Sequence, residues 1–96
     1  PGLKIRWTKG ASDNLENIKA YIDEDNPRAA LETVLKVVHS VSQLSKHPTI
    51  GRPGRLEGTR ELIVADTPFI VPYRIKNEII QILRVLHHSQ KWPKKL

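Results

Sequence analysis

The chain has 96 residues, enough for one small domain whose folding buries somewhat over ~60% of its unfolded surface. Hydrophobic residues make up 39% and charged residues 27%, which excludes a disordered chain, and the absence of cysteine excludes disulfides, thiolate catalysis and Cys-ligated zinc. Sixteen Lys and Arg against ten Asp and Glu leave a formal charge of +6, a balance that favours nucleic acid, an anionic membrane surface or an acidic protein as partner.

Pro1-Gly2 reads as a trimmed start or a cloning remnant and stays outside the fold argument; residues 1–96 are otherwise expected to form a single domain. Leu3-Lys4-Ile5-Arg6-Trp7 alternates apolar and basic side chains, the period of a half-buried strand. Thr8 and Ser12 compete to cap the helix that follows, whose stripe is Ala11, Leu15, Ile18 and Ile22. The Asp23-Glu24-Asp25 run marks its end. Asn26-Pro27 then starts a second helix, with a capping side chain followed by proline where the missing N–H costs nothing. It runs to about Leu44 and carries two apolar rows. Ala30, Val34, Val37, Val41 and Leu44 form one, and Leu31, Val34, Val38 and Val41 the other. Such a wide stripe predicts packing on both the partner helix and a sheet.

Residues 46–59 lose periodicity, and two Pro and two Gly between His47 and Arg55 predict a loop. Three strands follow: Arg60–Ala65, Phe69–Ile75 and Ile79–His87. Their short connections predict an antiparallel meander. Pro72 cannot donate to a ladder, so a bulge or an unpaired side is expected beside it. The order is βααβββ, an α+β domain in which a helical hairpin covers one face of one sheet. Residues 91–96 form a basic tail.

The charge is uneven. Residues 1–48 hold seven Lys or Arg and six Asp or Glu, whereas residues 49–96 hold nine and four. Arg52, Arg55, Arg60, Arg74 and Arg84 recur in the loop and strands, and guanidinium forks suit carboxylate or phosphate. The competing expectation is an ordinary pair such as Arg60 with Glu61 or Glu57. Alternation places Arg60 with Leu62 and Val64, and Arg84 with Ile82 and Leu86. His87 and His88, adjacent on a strand, are expected to point to opposite faces, so no metal site is predicted, and no cofactor either. Trp7, Tyr21 and Phe69 are assigned to the core, which leaves Tyr73 and Trp92 free for a partner. No segment approaches the ~18–20 apolar residues of a membrane span, and no signal peptide is evident; a cytoplasmic protein is expected.

Several short motifs share one order and spacing. Gly51-Arg52-Pro53-Gly54-Arg55, Gly58-Thr59-Arg60-Glu61-Leu62, Pro68-Phe69-Ile70-Val71-Pro72-Tyr73-Arg74-Ile75, Ile82-Leu83-Arg84-Val85-Leu86-His87 and Trp92-Pro93 together resemble the ParE branch of the RelE/ParE toxin superfamily, the plasmid-stabilisation toxins. The resemblance covers about residues 3–93. It implies a toxin of a bacterial type II toxin–antitoxin pair, neutralised by a cognate ParD-like antitoxin whose C-terminal segment wraps around it. It further implies DNA gyrase as target. The RelE branch instead cuts mRNA on the ribosome, with Arg three positions before the strand Tyr; matching that Tyr to Tyr73 puts Ile70 at the Arg position. If the chain were such an endoribonuclease, Arg60, Glu61 and His87 would be its catalytic candidates by type. As a gyrase-directed toxin it would have no catalytic residue. Arg52, Arg55, Arg60, Tyr73, Arg74, Arg84, His87 and Trp92 would then form its target- or antitoxin-binding surface.

Overall fold

A computed structural model describes residues 2–96; Pro1 lies outside the described residues. The first strand, β1 (Lys4–Trp7), ends at Thr8, which serves strand and helix at once. Its Oγ1 accepts from the Ala11 backbone N–H at 3.2 Å and donates to the Ile82 carbonyl at 2.7 Å. That second bond decides the competition with Ser12, because Thr8 caps while anchored to the sheet. Helix α1 (Lys9–Asp23) therefore begins two residues before the apolar stripe and stops in the acidic run, as the sequence predicts. Asn26 caps α2 (Pro27–Ser42), its Oδ1 accepting from Ala29 N–H at 3.1 Å with Pro27 in the first turn. A short 3₁₀ turn, Gln43–Ser45, completes the predicted length.

The two rows of α2 have different fates. Ala30, Val37, Val41 and Leu44 are buried, whereas Leu31 and Val38 remain 53% and 44% exposed. The helical hairpin is a single layer, so the second row meets solvent rather than the sheet. The same holds for Tyr21, assigned to the core from its sequence and 78% exposed in the structure. Phe69 is buried as expected, and Trp7 packs half-buried against the core.

The sheet contains β2 (Arg52–Pro53), β3 (Arg60–Ile63), β4 (Phe69–Lys76), β5 (Ile79–Ile82) and β6 (Leu86–His87) besides β1. Its order is β1-β5-β4-β3-β2, with β6 also on β4. The predicted meander is β3-β4-β5, antiparallel throughout, while β1 joins β5 in parallel. Two departures matter. The expected loop holds the two-residue strand β2, which pairs with β3. The expected Ile79–His87 strand is broken into β5 and β6. Ile82 faces Tyr73 and Leu86 faces Ile70, so this strand uses one more residue than β4 does, a bulge. Pro72 explains the position. Its carbonyl accepts from Leu83 N–H at 2.9 Å, so its donor-less nitrogen faces the same strand, where the ladder gives way.

Register assigns the faces. Phe69, Val71 and Tyr73 of β4, with Leu62, Ile80 and Ile82 beside them, point at α1 and α2 and form the core with Ala11, Val37, Val41 and Leu44. The other face carries Glu61, Ile70, Pro72, Arg74, Gln81 and Leu86. A two-residue turn, Asn77-Glu78, joins β4 to β5 with φ of 52° and 61°. Among the described residues, no helix is long and apolar enough to cross a membrane.

Candidate functional site

Among the described residues, Glu61 is the one charged side chain taken out of water, at 2% exposure. It lies on the face away from the helices, and β2 delivers its first partner because Arg52 stands opposite it in register. Oε1 accepts from Arg52 Nε at 3.1 Å and Nη2 at 2.9 Å. Oε2 accepts from the Arg55 backbone N–H at 2.8 Å and lies 3.7 Å from Arg55 Nε. Arg55 then stacks on Trp92, its guanidinium carbon 3.7 Å from the ring centroid, a cation–π contact that holds the C-terminal segment to this cluster. Trp92 is half-buried, and its Nε1 has no hydrogen-bond partner.

Arg60 does not pair with Glu61 or Glu57. It occupies the helix-facing side, as alternation predicts, and its Nη1 donates to the carbonyls of Gly51 at 2.9 Å and Thr49 at 3.2 Å. Adjacent strand residues point apart, so Glu61 was never within its reach.

Tyr73 is fully buried rather than free for a partner. Its hydroxyl donates to the Pro48 carbonyl at 2.7 Å and accepts from Gly51 N–H at 3.0 Å, so it ties the 46–59 segment to the sheet. Gly51 permits the approach: a Cβ there would lie 2.6 Å from the ring. Burial pushes the phenol above its ordinary pKa of 10.0, against the smaller opposing effects of the Gly51 N–H and the Arg60 charge.

The remaining candidates are scattered. Arg74 is exposed on the open face and donates through Nε to Gln81 Oε1 at 2.6 Å. Arg84 lies in the bulge, not in a strand, with its guanidinium against Gly10 at the start of α1. His87 faces the helices, edge-on to Phe69 at 5.7 Å, in a groove of 440 Å³ that it shares with Ile18, Tyr21 and Ile22. Its ring stacks on His88 at 4.8 Å rather than pointing oppositely, because β6 ends at His87 and the chain turns there. Ser89 N–H donates to His87 Nδ1 at 3.1 Å, which assigns the ring proton of a neutral imidazole to Nε2.

The nuclease candidates therefore do not converge. Glu61 and His87 lie on opposite faces. Arg60 and His87 flank β4 on opposite sides at Tyr73 and Phe69, which puts their backbones about 16 Å apart at ordinary strand spacings. Arg60 is drawn farther off by Thr49 and Gly51. Ile70, at the position where a phosphate-binding Arg would stand, is buried. One feature was missed in the sequence. Lys4 and Arg6 of β1 share the open face with Arg74 and Lys76, and all four are exposed. The alternation of β1 carried that signal, but only the parallel register with β5 brings the two pairs together.

The profile described as "ParE toxin of type II toxin-antitoxin system, parDE" matches residues 5–92. The chain is 46% identical over 93 residues to the "Putative toxin Y4kP" of Sinorhizobium fredii, covering 97% of this chain and 96% of that protein. It is 29% identical over 87 residues to "Toxin RelE2" of Caulobacter vibrioides, covering 91% and 97%. Among solved structures, the chromosomal ParDE system of P. aeruginosa superposes with a TM-score of 0.82 at 32% identity, over 88% of this chain and 95% of that one. The RelBE2 toxin–antitoxin complex of Mycobacterium tuberculosis gives 0.66 at 28% identity, over 91% and 99%. On a match that spans nearly its whole length, this chain belongs to the ParE toxin family of type II toxin–antitoxin systems.

Proposed function

We propose that the chain arrests growth by binding and inhibiting DNA gyrase, as a non-enzymatic toxin that a cognate ParD-like antitoxin neutralises. The observation that carries this reading is the dispersal of Arg60, Glu61 and His87. Glu61 has both oxygens engaged by arginine groups, His87 lies on the other face, and Ile70 leaves no cation before Tyr73. A general acid and base must reach the reacting atoms within about 3 Å, and this arrangement offers no such point. Exposed apolar side chains along the helical layer, Tyr21, Leu31, Leu35 and Val38, support a partner that covers it, and an antitoxin segment fits that role.

The similarity to a protein named RelE2 favours a second reading, ribosome-dependent mRNA cleavage. Transcript mapping within minutes of induction separates the two. The gyrase reading expects intact messages while DNA synthesis stops; widespread new 5′ ends inside coding regions would overturn it.

A further inference from the structure

Four cations stand together on the open face, apart from the Arg52–Glu61–Arg55 cluster. Arg6, Gln81 and Arg74 are neighbours across β1, β5 and β4, and Lys4, Ile79 and Lys76 form the next row. Ile5 and Trp7 pack on the core, so Lys4 and Arg6 must point the other way. At ordinary strand spacings the two cations on each strand are about 7 Å apart and the two strands about 10 Å apart. The two cations on each strand lie within the ~8 Å Debye length of physiological salt and the two strands just beyond it, so the four potentials add most strongly at lower salt.

None of the four is in an ion pair, although Arg74 lines a shallow pocket together with Glu57. The ion pairs among the described residues are Lys9–Asp13, Lys19–Asp23, Arg28–Glu32, Arg52–Glu61 and Arg55–Glu61. Glu78, the acid nearest in sequence, sits in the β4–β5 turn and pairs with none of them. Like charges gathered on one face repel one another, most strongly at low salt, and folding alone gives no reason to gather them.

We propose that this patch binds the phosphodiester backbone of a nucleic acid. Charge complementarity admits an acidic protein as well, but the composition of the patch favours the polyanion. Protein interfaces are anchored by buried aromatic or large apolar residues. Here only half-buried Ile79 and Gln81 separate the two cations of β1 from the two of β4. No aromatic side chain lies on those rows, so bases have no stacking platform and the contact is made to phosphate without sequence preference. Arg74 donates through Nε to Gln81, which fixes one guanidinium and leaves its terminal nitrogens for a phosphate oxygen. The inference does not depend on the target of the toxin, and it stands or falls separately from gyrase inhibition.

The test is fluorescence anisotropy of purified full-length protein with a labelled 20-mer, single-stranded and duplex, across a salt series. Four phosphate contacts predict log–log salt slopes of about −2.8 for the single strand and about −3.6 for the duplex, or roughly 50- and 150-fold weaker binding from 50 to 200 mM salt. The variant K4Q/R6Q/R74Q/K76Q should lose most of that slope and bind at least ~10-fold more weakly at low salt. A tail variant, K91Q/K94Q/K95Q, should retain the slope. The double variant K4Q/K76Q, which leaves the Arg74–Gln81 bond in place, should lose about half of it and covers the case in which the quadruple variant misfolds. Three results would overturn the proposal: no binding at low salt, an unchanged slope in the patch variants, or a poly-glutamate peptide of equal charge bound as tightly as DNA.

Discussion

Replacing Glu61 by Gln keeps the shape of the side chain and removes its charge, and the geometry says what must break. A carboxylate satisfies Arg52 through Oε1 and the Arg55 N–H through Oε2. Gln has one acceptor and one donor. Whichever way the amide is turned, its NH₂ meets another donor, either the Arg52 guanidinium or the Arg55 backbone N–H. The favoured rotamer keeps one acceptor bond, forfeits the other and leaves a donor unsatisfied beside a side chain only 2% exposed. Arg52 and Arg55 are themselves 52% and 50% exposed, so water recovers part of the charge–charge attraction. The net loss is about 2–3 kcal/mol, from charge-assisted bonds and an unpaired donor. For a domain of this size that lowers the melting temperature by roughly 8–24 °C. Urea unfolding followed by tryptophan fluorescence measures it, and Trp92 should report loosening of the Arg55 stack at lower urea than the global transition. A variant within about 0.5 kcal/mol of wild type would refute the view that Glu61 is a structural clasp. A stable E61Q protein that has lost toxicity would point to a chemical role instead.

Tyr73→Phe removes the hydroxyl that serves Gly51 and Pro48 and leaves a buried N–H without a partner, a cost of about 1–3 kcal/mol in urea unfolding. Because the folded protein raises the Tyr73 pKa above 10.0, folding favours the neutral phenol. Its contribution is complete below the ordinary value and fades as pH rises through the folded one. Wild-type stability should therefore fall in alkali, and the Phe variant should show less of that fall. Glu78→Gly relieves a left-handed φ of 61°. The relief of about 1–2 kcal/mol, set against about 0.5–1 kcal/mol of added chain entropy, predicts a small gain in unfolding free energy. Thr8→Ala removes both the α1 cap and the bond to the Ile82 carbonyl; a loss of about 1–2 kcal/mol is expected, with faster amide exchange in the first turn of α1.

Features written in local chemistry were legible. Asn26-Pro27 starts α2 because capping and the missing proline N–H act within one turn. Pro72 announced an irregular ladder because a residue without N–H cannot complete one. The helix boundaries and the β3-β4-β5 meander follow from the same kind of signal. What depended on distant pairing was not legible. Nothing near Arg52 says that it forms a strand; Glu61, nine positions on, gives it a partner. Arg60, for which a pair with Glu61 or Glu57 was the competing expectation, donates to carbonyls instead, because its neighbour in sequence points to the other face of the sheet. Tyr73 looked free until the 46–59 segment folded over its hydroxyl. Periodicity placed Tyr21, Leu31 and Val38 on apolar stripes but could not say that no layer covers them. The Lys4–Arg6–Arg74–Lys76 patch needed the parallel register of β1 with β5.

On the proposed reading the toxin acts by binding gyrase, and the most direct measurement is supercoiling of relaxed plasmid by purified gyrase in the presence of the purified chain. Inhibition that rises with toxin concentration and is relieved by the antitoxin is the predicted result. Full supercoiling at a large molar excess of folded toxin, with cleavage of ribosome-bound mRNA by the same preparation, would contradict it.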